Sequence, residues 1–268
     1  MRKDDWSPEL YAKHAYFVPK ETERIVSLLD LNKDDTVLDL GCGDGPLTLQ
    51  LQQQCRKLTG VDASARMIEA ARKRGVLDAR VADASDLAAA GIEEQAYDKV
   101  FSNACLHWVK EDRQDAMIDG VWHCLKDGGR FALEMGGHQN IAAIHMALID
   151  TLGEAGLDGR AHSPWYFPTA ATYTTKLQER GFRVLHAETE PVIRHCPVGE
   201  DVGGWLSTFG SSFFNACRDD AERRRVRDRC VQRLAPVLRA SDGAWSIVYV
   251  RLRIVAEKVP RASQHKLP

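Results

Sequence analysis

No stretch of this 268-residue chain approaches the ~20 consecutive apolar residues that a membrane-spanning helix needs, so no membrane partner is expected. The opening MRKDDWSPEL has no apolar core of a secretory leader, which predicts an intracellular, cytoplasmic protein. An excess of one charge is also missing: 36 Lys and Arg face 38 Asp and Glu, a net −2 with a pI near 6.5. A nucleic-acid partner would require a concentrated basic surface, so none is expected. The seven cysteines form no CxxC pair and no Cys/His grouping at zinc spacing. They read as reduced thiols rather than metal ligands or bridges. Cys42, Cys105 and Cys124 sit in apolar surroundings and read as small core residues.

What is present is an alternation. From residue 36, β-rich runs TVLDL (36–40), LTGVD (58–62), ARVAD (79–83), YDKVFSN (97–103) and GRFALEM (129–135) are separated by stretches of helical spacing. Among these, SDLAAAGIEEQ is one predicted helix. Such alternation predicts an α/β fold with a parallel sheet and helices on both faces. Two long strand-like runs follow, 182–194 and 244–258, with a mainly helical insertion between them near 199–241. The expected organisation is a helical cap over 1–35, a main domain over 36–258 and a tail over 259–268.

The first strand stops in VLDLGCGDGP, three glycines spaced two apart. Gly41, Gly43 and Gly45 let the backbone approach a ligand closely, and Pro46 suits the first helical position. The dinucleotide fingerprint would place glycine where Pro46 stands, and the GK[ST] ending of a phosphate loop is missing. Asp39 and Asp44 would repel a pyrophosphate and attract a cation. Asp62 closes the next strand, where a carboxylate can accept ribose hydroxyls. Asp83 closes the third, followed by the small Ala84. Three acids at successive strand ends describe a nucleoside bearing a cation, as S-adenosylmethionine does.

DLGCGDG resembles the first motif of class I S-adenosylmethionine-dependent methyltransferases. GVDAS with Met67, VADA, SNACLHWV and LKDGGRFALE resemble that family's later motifs in order, together covering about residues 36–136. The resemblance implies a Rossmann-like, seven-stranded, mostly parallel sheet with a final antiparallel strand. It implies S-adenosylmethionine as cofactor. Asp39, Gly41, Cys42 and Gly43 would lie against its methionine portion, and Asp62 would hold the ribose. Ala63 and Met67 would flank the adenine, and Asp83 with Ala84 would border it. Asn103, with Ala104 behind it, would approach the amino and carboxylate end.

WSPELYAKHAYFVPKETERIVSLL is similar to the N-terminal helices of trans-aconitate methyltransferases and of the related enzyme that methylates a malonyl group on a carrier protein. That likeness places Tyr11, His14 and His107 near the acceptor as candidate catalytic residues. The acceptor is expected to be a small molecule, methylated for preference at a carboxylate or hydroxyl oxygen. A carboxylate is already ionised at neutral pH and needs no base, whereas a hydroxyl needs one. Carbon or nitrogen methylation, or cofactor binding without transfer, is the alternative. Several carboxylates would require arginines, for which Arg194 and Arg160 are candidates. Trp205, Phe209 and Phe213 recur every four residues and are expected on one helix face, as core or as a substrate lid. The run RDDAERRRVRDR (218–229) reads as a solvated face rather than a carrier-protein docking patch.

Overall fold

The computed structural model describes residues 22–260, so the expected cap is seen only from Thr22 and the tail only to Pro260. Helix α1 (Glu23–Leu29) buries Ile25 and Leu29 four residues apart and stops at Asp30, whose backbone is left-handed. Strand β1 (Thr36–Leu40) is buried at all five positions, as a parallel strand covered on both faces must be. Helix α2 (Pro46–Gln52), β2 (Lys57–Asp62), α3 (Ala65–Arg74), β3 (Ala79–Val81), β4 (Tyr97–Asn103), α4 (Gln114–Cys124) and β5 (Leu125–Gly136) continue the alternation. Then come α5 (Ala142–Glu154), α6 (Ala170–Glu179), β6 (Phe182–His195), α7 (Gly203–Phe209), α8 (Ser211–Phe214), α9 (Asp220–Leu238) and β7 (Ser246–Lys258).

The seven strands form one sheet in the order β3-β2-β1-β4-β5-β7-β6. β1 pairs in parallel with β2 and β4, β2 with β3, and β4 with β5. The sheet is mostly parallel with a final antiparallel strand, as expected. The chain leaves β1 for β2 on one side and reaches β4 on the other, so the order reverses there. Open α/β sheets bind ligands at the carboxyl ends beside such a point.

Alternate residues divide the apolar side chains between two cores. Leu38, Val100, Phe131 and Leu133 pack with Met117, Ile118 and Val121 of α4. Val37, Phe101 and Ala132 pack with Ile25 and Leu29 of α1 in the other. Burying a phenylalanine such as Phe101, which has no exposed surface, contributes about 2–3 kcal/mol.

The chain packs as two compact units. Among the described residues the first takes in 22–138, 166–189 and 252–260, and the second 139–165 and 190–251. In the second unit α9 buries Glu222, Val226, Cys230, Leu234 and Leu238, one residue in four. Arg223, Arg224, Arg225 and Arg229 stay in solvent, so the charged run is a solvated face.

Two expectations are corrected. SDLAAAGIEEQ forms only a 3-10 turn at Ala88–Ala90. Leu87 and Ile92 are its buried anchors, and Gly91 adopts a left-handed backbone that ends the turn. The helix expected to carry Trp205, Phe209 and Phe213 is broken at Gly210 into α7 and α8. Phe213 still packs with Trp165 at 5.4 Å between ring centroids, Trp205 with Trp165 at 6.1 Å and with Phe209 at 5.1 Å. They form an aromatic core of the second unit, which favours core packing over a lid. Among the described residues no helix is long and apolar enough to cross a membrane.

Candidate functional site

The glycine turn is built by steric exclusion. A Cβ on Gly41, at φ +86°, would lie 2.2 Å from Cys105 Sγ and 2.3 Å from its Cβ. Gly43 has open space around it, so only its φ of +56° selects glycine. The Gly41 and Cys42 N–H groups both donate to the Val61 carbonyl, at 2.8 and 3.0 Å, tying the turn to β2. Cys42 Sγ points to Gly60, where a Cβ would come within 3.1 Å.

The acids divide by partner. Asp39 is buried, and the Thr48 hydroxyl donates to its Oδ2 at 2.7 Å. Burial pushes its carboxyl up to about 7; the Thr48 hydroxyl opposes that rise and the Asp62 charge adds to it. Asp44, equally buried, is instead held by Arg74, Nη2 to Oδ2 at 2.7 Å. Asp62 accepts from the Gly43 N–H at 3.1 Å and the Ser64 N–H at 2.9 Å, so it braces the turn. Asp83 lies two residues beyond β3, not at its end. It accepts from Ser85 N–H and hydroxyl at 2.9 and 2.6 Å and from Arg113 Nη1 at 2.8 Å. Burial would raise its carboxyl, but these donors outweigh that and hold it below the usual range.

Met67 is buried and Ala63 exposed, while Ala84 packs against the larger core. Ser64 caps α3, its hydroxyl accepting from the Met67 N–H. The thiols of Cys42 and Cys105 are pushed up, first by burial and then by Asp39 and Asp62, so both are neutral. Cys105 thus belongs at the turn beside Gly41, close enough to feel the same acids.

β4 ends in Asn103, whose buried Oδ1 has no hydrogen-bond partner. Leaving a buried acceptor unmet costs about 1–3 kcal/mol, so a ligand amine fits there. Ala104 follows in a left-handed backbone at φ +55°, its N–H donating to the Glu134 carbonyl at 2.8 Å. Non-glycine strain of this kind gathers at ligand sites. His107 is buried, and its Nδ1 accepts from the Gly136 N–H at 3.2 Å. The ring proton therefore sits on Nε2, which is a donor rather than an acceptor. The base role for His107 is not what this bond favours. Tyr11 and His14 lie outside the described residues.

Sequence reading missed Thr48, Arg74 and Arg113. Each pairs with an acid more than eight positions away in sequence, and no local pattern marks such a partner. It also missed Arg251. In the second unit Arg194 and Arg251 are both buried, and the Arg194 guanidinium lies 4.3 Å from the Tyr249 ring centroid. The Tyr249 hydroxyl accepts from Trp205 Nε1 at 2.6 Å. Arg160 is exposed.

Comparison with known proteins agrees with this geometry. A family model described as a methyltransferase domain matches residues 37–129. An uncharacterized methyltransferase of Schizosaccharomyces pombe is 36% identical over 263 residues, covering 96% of this chain and 100% of that one. The chain belongs to the class I S-adenosylmethionine-dependent methyltransferases. A trans-aconitate 2-methyltransferase of Mycolicibacterium gilvum is 31% identical over 263 residues, covering 94% of this chain and 98% of that one. The fold matches an S-adenosylmethionine-dependent methyltransferase of Methanosarcina mazei, with TM-score 0.55 and 17% identity over 88% of this chain and 97% of that one. S-adenosylmethionine is accordingly the cofactor of this methyltransferase, and the buried Asp39, the bare turn at Gly41 and the orphaned Asn103 oxygen all fit it.

Proposed function

We propose that this methyltransferase esterifies a carboxylate of a small organic acid. The observation that carries the reading is the end-to-end likeness to the Mycolicibacterium gilvum trans-aconitate 2-methyltransferase. One feature supports it. The His107 Nδ1 accepts from the Gly136 N–H and so is not placed as a base, and an ionised carboxylate needs no base.

S-adenosylmethionine, when bound, would supply an electrophilic methyl group: an O–C bond would form to an ionised oxygen as the C–S bond breaks, the electron pair leaving on sulfur as neutral S-adenosylhomocysteine, with no proton to move. The protein's part is to bind, orient and exclude water. Asp39, Gly41, Cys42 and Gly43 would receive the methionine portion, with Asn103 and Ala104 at its amino end. Asp62 would take the ribose, Ala63 and Met67 the adenine faces, and Asp83 with Ala84 its edge. Arg113 and Ser85 already hold Asp83, so it borders the ring as a fixed wall.

The test supplies methyl-labelled S-adenosylmethionine with a panel of small mono-, di- and tricarboxylic acids, and with phenols, alcohols and amines beside them. Label that enters an acid and is released as methanol by mild alkali supports the proposal. Alkali-stable label confined to a phenol or an amine overturns it.

A further inference from the structure

Thr48 stands in the first turn of α2 with no exposed surface. A threonine there commonly bonds the backbone of its own helix. Here its hydroxyl donates across to β1 instead, at 2.7 Å from Asp39 Oδ2. Its methyl is fitted against β2, where a Cβ on Gly60 would lie 3.4 Å from Thr48 Cγ2. Packing therefore fixes the direction of the hydroxyl.

The other titratable groups around Asp39 cannot replace that donor. Asp62 on β2 is an acceptor here, taking hydrogen bonds from the Gly43 and Ser64 N–H groups. Cys42 in the turn and Cys105 after β4 are neutral thiols. Asp44 is an acceptor already held by Arg74. Among the described residues, the Thr48 hydroxyl is the side-chain hydrogen-bond donor that Asp39 has. A buried carboxylate deprived of its donor takes up a proton, and a protonated acid attracts no cation.

We propose that Thr48 is a positioning residue for the cofactor, its hydroxyl fixing the direction of the Asp39 carboxyl and favouring its anionic form for the positive charge it meets. This rests on the assignment of Asp39 to the methionine end of S-adenosylmethionine.

The test is calorimetric titration of S-adenosylmethionine and S-adenosylhomocysteine into the parent protein, Thr48→Val, Thr48→Ser and Asp39→Asn, from about pH 6 to about pH 9. Thr48→Val keeps shape and loses the donor, so its Kd near neutral pH rises about five- to tenfold, and the gap to the parent closes as pH rises and both carboxyls ionise. Thr48→Ser restores the parent's affinity and pH profile. A Kd ratio for Thr48→Val that stays constant across pH, or a Thr48→Ser variant as weak as Thr48→Val, overturns the proposal. Should Thr48→Val not fold, Thr48→Ala takes its place against Thr48→Ser with the same criteria. If Asp39→Asn binds like the parent, the assignment of Asp39 itself has failed; if it weakens while Thr48→Val does not, only the role of Thr48 has.

Discussion

Arg74 holds Asp44 twice, through Nη2 to the carboxylate at 2.7 Å and through Nε to the carbonyl at 2.9 Å. Of the two acids that flank the glycine turn, one is thus neutralised by a helix behind it. Asp39, with a hydroxyl for partner, is left to interact with a ligand.

Gly41 and Gly43 differ in what an added methyl would meet, and their alanine variants should differ accordingly. Gly41→Ala drives a Cβ into Cys105 at an unfavourable φ and costs about 3 kcal/mol. Gly43→Ala meets nothing and costs about 1 kcal/mol for its backbone alone. Cys105→Ala does not rescue Gly41→Ala, because the Cys105 Cβ is itself 2.3 Å away. Denaturant titrations of the single and double variants measure all three.

Asp39 makes stability depend on pH in a stated direction. Its carboxyl is raised to about 7 in the fold, whereas an unfolded aspartate titrates near ~4. The fold binds that proton more tightly, so its contribution is complete below about pH 4 and is lost as pH rises through about 7. Asp39→Asn removes the loss. In the absence of cofactor, the melting temperature of the variant relative to the parent climbs across that window and then levels. A difference independent of pH would refute the buried, raised carboxyl.

His107→Gln keeps an acceptor for the Gly136 N–H. With a carboxylate acceptor, turnover should fall by no more than about threefold, with the pH profile unchanged in shape. A loss of about a hundredfold, together with disappearance of an acidic limb, would make His107 the base after all.

Strands β5 and β7 carry a buried ion pair whose members depend on each other. Arg253 Nε bonds Glu134 Oε2, both side chains almost fully enclosed, and Arg253 also reaches Glu188 at 3.4 Å. Arg253→Met leaves Glu134 buried without that cation and costs about 3–5 kcal/mol. Adding Glu134→Gln recovers part of the loss. Equilibrium unfolding of both single variants and the double decides it, since additive losses would mean the pair is not coupled.

The alternation of strands and helices was legible in the sequence because each element carries its own periodicity. Leu38 and Val37, or Phe131 and Ala132, face opposite cores as alternate strand residues must. The segment at 85–95 misled because alanines have high helical propensity, while only Leu87 and Ile92 had a core to enter. Asp39 and Gly41 were readable together because they sit in one local motif, and Asp62 because it ends the next strand of the alternation. Thr48 and Arg113 were not, because a donor's value is set by the acid folding brings to it. Arg251 hides in the alternation of β7, where a buried cation and a buried aliphatic side chain fit the same pattern.

The most direct measurement is a crystal structure with S-adenosylhomocysteine bound. The ribose hydroxyls should lie on Asp62, the methionine portion along Asp39 to Gly43, and the amino group at Asn103 Oδ1. A nucleoside found away from the glycine turn, with the Asn103 oxygen still unpartnered, would contradict the account.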